Sequence, residues 1–170
     1  MSGNLRRTLG VSLLRGLLVM LVDAGALGGC STPPPPEPKT IAQTVASNPQ
    51  LRMWSLLMDT SGLNEMLEQA GPYTLFAPSD DAFKALSPEM ISALGKDPEF
   101  LKSVLSYHVV PGTMKWANAQ TGRVATVQGS TILLQKSSMV LIANEAVIIT
   151  SDLTATNGVI HIVDKVLVPR

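Results

Sequence analysis

The sequence predicts an α+β domain whose helices come before most of its strands. Two textures carry this reading. Through residue 108, apolar side chains recur at helical spacing between helix start and stop signals. After Pro111-Gly112 the chain turns to short β-branched runs separated by Gly, Ser or Asn. Helices first and strands later points to segregated elements and not to a doubly wound parallel sheet.

Each element has a local cause. Thr40 and Gln43 form a T-x-x-Q capping box at the head of residues 41–46. Leu51, Trp54, Leu57 and Met58 share one helical face, as do Leu63, Met66, Leu67 and Ala70, with Gly62 and Gly71 as punctuation. Leu75-Phe76-Ala77 reads as a short buried strand stopped by Pro78, and Ser79 caps the helix that follows. There Asp80 and Asp81 meet the positive end of the helix dipole, and Ala82, Phe83 and Leu86 face the core. Ser87-Pro88 and Asp97-Pro98 each set an N-cap before proline at the first helical position, and Gly95 suits a C′ position between them. Leu101, Val104, Leu105 and His108 then share a face. Strands are predicted at 124–127, 131–136, 139–143, 146–150 and 159–168. In the last, Val159, His161 and Val163 alternate with Ile160, Ile162 and Asp164. Both faces are largely apolar, so this strand is central and His161 reads as a core histidine.

Composition excludes several functions. Lys plus Arg and Asp plus Glu both total 13, so the formal net charge is 0, and the chain has two Trp, two Tyr and three Phe. That argues against a nucleic-acid partner, which needs basic charge or stacking platforms. One cysteine excludes an internal disulfide and a multi-cysteine zinc site, and two histidines leave little for a metal centre. No GxSxG, HExxH, Walker loop, GxGxxG or CxxC occurs, so no catalytic residue, cofactor or metal is assigned and an enzyme is not expected.

The first 39 residues read as processing and tethering segments, with the domain at 40–170. Arg6, Arg7 and Arg15 precede an apolar stretch, GLLVMLVDAGALGG, which is shorter than the about 20 residues that span a bilayer. Asp23 departs from the pattern, since an acid in an apolar segment is costly. Leu27-Gly28-Gly29-Cys30 resembles the bacterial lipobox. The resemblance implies a signal peptide at 1–29, cleavage before Cys30 and acyl chains (palmitate among them) on Cys30. The bland alternative is that Cys30 is an ordinary thiol. Cleavage would remove three arginines and one aspartate and leave a formal charge of −2. Residues 31–39, STPPPPEPK, form a proline-rich spacer that extends about 3.1 Å per residue as polyproline II.

Three separated boxes carry a family resemblance. Thr74-Leu75-Phe76-Ala77-Pro78-Ser79-Asp80-Asp81-Ala82-Phe83 resembles the first box of the fasciclin domain family. Tyr107-His108 followed by Val109-Val110-Pro111-Gly112 is similar to the middle motif, and TNGVIHIVDKVLVP at 156–169 to the second box. The resemblance implies a compact fold of packed β-strands wrapped by several helices. It implies an extracytoplasmic adhesion or interaction module, anchored by the lipid on Cys30, that binds a protein or polysaccharide partner. The expected place is the outer membrane, cell surface or periplasm, with a secreted form left open. The alternative is a carrier of an apolar small molecule, carotenoid-like or lipid-like, which exposed Met and Ile around a groove would favour.

The same resemblance implies partner-binding roles for Tyr107 and His108. It also matches Asp152-Leu153 to an Asp–Ile pair in the integrin-recognition segment of animal members. Each has a structural alternative. Tyr107 packs and His108 hydrogen-bonds inside the domain; Asp152 closes an Asx-turn on its own backbone while Leu153 seals the core edge.

Overall fold

The computed structural model describes residues 38–69 and 71–169. The expected signal peptide, the lipidation site Cys30 and residues 31–37 of the tether lie outside the described residues. Helices α1 (Ile41–Ser47), α2 (Arg52–Ser61) and α3 (Leu63–Glu68) precede strand β1 (Tyr73–Pro78). Helices α4 (Asp80–Lys84), α5 (Pro88–Lys96) and α6 (Pro98–Tyr107) follow. The chain then runs through β2 (Val109–Pro111), β3 (Gly122–Ala125), β4 (Thr131–Lys136), β5 (Leu141–Ala143), β6 (Ala146–Ala155) and β7 (Gly158–Val163).

The helix starts follow local chemistry. Thr40 N–H donates to Gln43 Oε1 at 3.0 Å and Gln43 N–H to Thr40 Oγ1 at 3.3 Å, which completes the capping box. Ser79, Ser87 and Asp97 accept from the backbone N–H groups of Ala82, Met90 and Phe100. Gly62 sits at φ 72°, the left-handed geometry that lets α2 turn directly into α3. Gly95 departs from expectation. It lies inside α5, and Asp97 both ends α5 and caps α6. The 3.6-residue hydrophobic period has no term for a cap that serves two helices.

One seven-stranded sheet has the order β2-β1-β7-β6-β5-β4-β3. Only β1 and β7 pair in parallel, from Tyr73↔Gly158 to Pro78↔Val163; the other pairs are antiparallel. Past β3 the chain bends back to the opposite edge, where Val127 N–H donates to Val109 O at 2.8 Å. The sheet is thus curled nearly into a barrel. Two cores result. The larger lies between the helices and one face of β1 and β7, where Trp54, Leu67, Leu75, Leu105, Ile160 and Ile162 meet. The second fills the inside of the curl with Phe76, Ile132, Leu134, Leu141, Ile148 and Val163. Each such side chain contributes about 1.5–3 kcal/mol when fully buried. All six residues of β7 are buried, as its two apolar faces predict.

Four of the five strand spans predicted after Pro111 differ from the sequence reading, the 139–143 strand beginning only at Leu141. The predicted 159–168 strand stops at Val163, where Asp164 clamps its neighbour. Asp164 N–H donates to Val147 O at 3.0 Å, and Val147 N–H donates back to Asp164 Oδ1 at 2.7 Å. The predicted 146–150 strand runs on to Ala155 through a bulge, opposite the long partner β7. The predicted 124–127 strand sits two residues earlier, at Gly122–Ala125.

Asn157 and Gly158 join the layers. Asn157 Oδ1 accepts from Ile41 N–H at 2.8 Å, and its Nδ2 donates to Leu67 O at 2.5 Å and Gln69 O at 3.0 Å. One side chain therefore holds the start of α1 and the end of α3 to the start of β7. A Cβ on Gly158 would stand 1.9 Å from Tyr73 O and 2.8 Å from Ile41 Cδ1. Gly158→Ala should destabilise the domain by at least about 2 kcal/mol through overpacking. Gly122→Ala, whose Cβ would meet nothing within 4 Å, should leave the denaturant midpoint nearly unchanged. Equal midpoints for the two variants would refute the close approach of β1 and β7.

Candidate functional site

The residues singled out by sequence lie around the central strands β1 and β7. His108 ends α6 and is fully buried. Its Nδ1–H donates to Val104 O at 2.7 Å, and its Nε2 accepts from Leu167 N–H at 2.9 Å. The indole of Trp54 lies against it, with ring centroids 4.8 Å apart. The imidazole thus ties the end of α6 to the C-terminal strap beyond β7. Tyr107 is buried beside it; its hydroxyl donates to Thr131 O at 2.9 Å and accepts from Asn144 Nδ2 at 3.0 Å.

His161 is the counterpart on β7. It stacks on Phe76 at 5.6 Å between centroids. Its Nε2–H donates to Met114 O at 2.7 Å, and its Nδ1 accepts from Asp152 N–H at 3.3 Å. The partners assign opposite neutral tautomers to the two rings, with the proton on Nδ1 in His108 and on Nε2 in His161. Burial pushes the His108 pKa down from 6.5 to about 4, against the raising effect of the Val104 carbonyl. Burial also lowers that of His161, opposed by the Met114 carbonyl and the Asp152 carboxylate.

Asp152 corrects the Asx-turn expectation. It lies within β6, where Ser151 and Asp152 together oppose the single residue His161. This bulge puts Asp152 at φ 58°, and its Oδ1 accepts from Trp116 N–H at 2.8 Å instead of closing on its own backbone. Trp116 opens the short 3-10 turn Trp116–Asn118. Lys136 Nζ donates to Trp116 O at 2.5 Å and lies 5.7 Å from the centre of the indole. Leu153 is half-buried and packs against the larger core, so it does seal a core edge. Thr74 of the first box is fully buried; its hydroxyl donates to Gly112 O at 2.6 Å and accepts from Met114 N–H at 2.8 Å.

The fold therefore brings His161 and Asp152 together with Trp116, and places His108 and Tyr107 back to back between the helices and the curled sheet. Two residues with wide structural reach, Asn157 and Asn144, were legible only as turn formers. Asn144 sits at φ 54° in the β5–β6 turn, and its Oδ1 accepts from Leu133 N–H at 2.8 Å. Away from these networks, α2, α4 and α5 border an apolar groove of about 500 Å3. Phe83 and Leu94 lie buried there, while Met53 and Ile91 are 44% and 52% exposed. Among the described residues, no group of three or more His, Cys, Asp or Glu could hold a metal ion.

His108 generates a prediction with a definite sign. The folded ring stays neutral while the unfolded ring takes up a proton below pH 6.5, so its stabilising contribution is present above pH 6.5. That contribution is lost as the pH falls towards 4, and the pKa difference corresponds to about 3 kcal/mol. His108→Ala should cost about 1–3 kcal/mol at neutral pH by stranding Leu167 N–H. It should also flatten the loss of stability between pH 6.5 and 4. Denaturant midpoints across that range check both; a variant that keeps the wild-type slope would show that another group carries it.

Comparison with known proteins agrees with this architecture. The fasciclin domain model matches residues 49–169. Protein sll1483 of Synechocystis is 35% identical over 132 residues, covering 76% of this chain and 73% of that protein. Human periostin is 34% identical over 137 residues, 79% of this chain but only 16% of periostin's own length. The FAS1 domain pair from the insect cell adhesion molecule Fasciclin I superposes with a TM-score of 0.55. At 20% identity, over 69% of this chain and 45% of that one, it shows the shared fold. With three boxes in order, the two-core fold built on β1 and β7, and a family match across the strands and most of the helices, the chain belongs to the fasciclin domain family.

Proposed function

We infer that the protein is an extracytoplasmic recognition module, anchored to a membrane through lipid on Cys30, which holds a protein or polysaccharide partner without a catalytic step. One observation carries the reading. The side chains best equipped for chemistry, His108, His161, Tyr107 and Asp152, are each engaged by neighbouring backbone. Their hydrogen bonds tie these side chains to the backbone and so hold the shape of a surface, which supports a binding role. The structural relative Fasciclin I is a cell adhesion molecule, which supports the same reading here. Tyr107 and His108, being buried, would influence a partner through the surface they hold in place.

Asp152 and Leu153 are the more accessible part of the expected partner site, since both are half-buried. Asp152→Asn keeps an oxygen for Trp116 N–H and removes the charge. If the pair contacts a partner, the folded variant should attach to neighbouring cells several-fold less than wild type. Attachment at wild-type level would move the recognition surface elsewhere.

The apolar groove between α2, α4 and α5 favours a second reading, the carrier of an apolar small molecule. Its rim presents a Met and an Ile, the residue types expected around such a groove. Mass spectrometry of protein extracted from its native membrane tests both readings. The anchor predicts an N-terminus at Cys30 bearing acyl chains, two or three of which are needed for stable attachment; an unmodified thiol there refutes it. A stoichiometric apolar molecule that co-purifies would establish the carrier, and its absence would leave the groove without that role.

A further inference from the structure

The charges of the domain are sorted by layer. Between residues 52 and 107, which hold α2 to α6 and β1, there are eight acids and four bases. Between residues 108 and 169, with β2 to β7, there are three acids and four bases. Two of those three acids are turned to internal work, Asp152 on Trp116 N–H and Asp164 on Val147 N–H. Lys136 is likewise engaged, on Trp116 O and Ala117 O, which leaves Lys115, Arg123 and Lys165 against Glu145 in the strand half and an excess of acids in the helix half.

A cleft of about 660 Å3 opens in the basic half. Arg123 on β3 and Lys165 beyond β7 line it, together with one acid, Glu145, in the β5–β6 turn. Ser130 and Thr131 add hydroxyls, and Leu133 and Val166 add apolar surface. Tyr107 reaches the same cleft from beneath, held by Thr131 O and Asn144. The lining thus combines two cations and one carboxylate with hydroxyls and aliphatic surface on a frame braced from the core.

We propose that this cleft binds an acidic polysaccharide, a chain of uronate sugars, with Arg123 and Lys165 receiving carboxylates, Ser130 and Thr131 facing sugar hydroxyls, and Leu133 and Val166 facing the C–H side of a ring. The proposal rests on the recognition-module reading and names its partner class. Three properties of the lining select this ligand together. Two cations against the one carboxylate of Glu145 leave a net positive lining that favours a carboxylate ligand, to which Arg donates in bidentate fashion. Hydroxyls donate to and accept from the hydroxyl groups of a sugar. Aliphatic patches suit the apolar side of a pyranose ring, which a simple anion lacks.

The test uses the full chain in detergent, titrated calorimetrically with trigalacturonate, neutral maltotriose and triglutamate. Trigalacturonate should bind, weaken with salt, and bind more tightly than the other two. Arg123→Ala with Lys165→Ala should raise its Kd about tenfold. Lys102→Ala with Lys115→Ala removes equal charge outside the cleft and should leave Kd within about twofold, given the small worth of isolated exposed charges. Equal weakening by the two pairs, triglutamate bound as tightly as trigalacturonate, or no binding of trigalacturonate would each overturn the proposal. Cell attachment, measured in parallel, separates the two levels. Wild-type protein that attaches cells but ignores trigalacturonate keeps the module reading and loses this site. Wild-type protein that does neither loses both.

Discussion

The parallel contact between β1 and β7 is the constraint on which the rest of the molecule depends. Tyr73 and Gly158 approach so closely that no side chain fits at 158. Because both strands are covered on both faces, each must be apolar on both, and each face must find its own partner layer. The helices supply one layer and the curl of β4 to β6 the other. Asn157, one residue before the contact, then fixes α1 and α3 to it through backbone groups. Displacing this pair would detach both cores at once.

The two histidines solve a recurring problem at the margins of that pair. Strap, bulge and helix end leave backbone groups that the sheet ladder does not reach, and a buried group without a partner costs about 1–3 kcal/mol. A neutral imidazole carries one donor and one acceptor, so it can bridge a carbonyl and an N–H in different segments. His108 does this between α6 and Leu167, and His161 between Met114 and Asp152. Both rings work only when uncharged, which burial enforces. The same dependence makes acid the natural way to loosen the strap.

Much of the fold was legible because local rules set it. Thr40, Ser79, Ser87 and Asp97 act within three residues of themselves, and the two-sided apolar pattern of residues 159–163 marks a central strand without knowledge of its neighbours. The three boxes placed the chain in its family. What could not be read depends on distant partners. Asn157 looks like a turn residue until Ile41, 116 residues earlier, donates to it. The bulge that redirects Asp152 exists because β6 follows β7 past the point where its β-branched run gives out. Gly95 falls inside α5 because Asp97 serves two helices. The groove and the cleft are gaps between elements, and no spacing in the chain announces them. The interior roles of Tyr107 and His108 were visible as alternatives, since a polar residue on an apolar helix face needs a buried partner.

The pairing of β1 with β7 also has a temporal meaning. Tyr73 must wait for Gly158, about 85 residues later, before the central ladder can begin to close. Contacts of such high sequence separation form slowly, because the entropy of closing a long loop is lost before the contact returns anything. During synthesis the helices emerge first and carry apolar faces with nothing yet to cover them. The ladder that closes the centre of the sheet forms only once residues 158–163 have been made. Until those residues emerge, β1 lacks its parallel partner and the helices lack the strand face that completes their core.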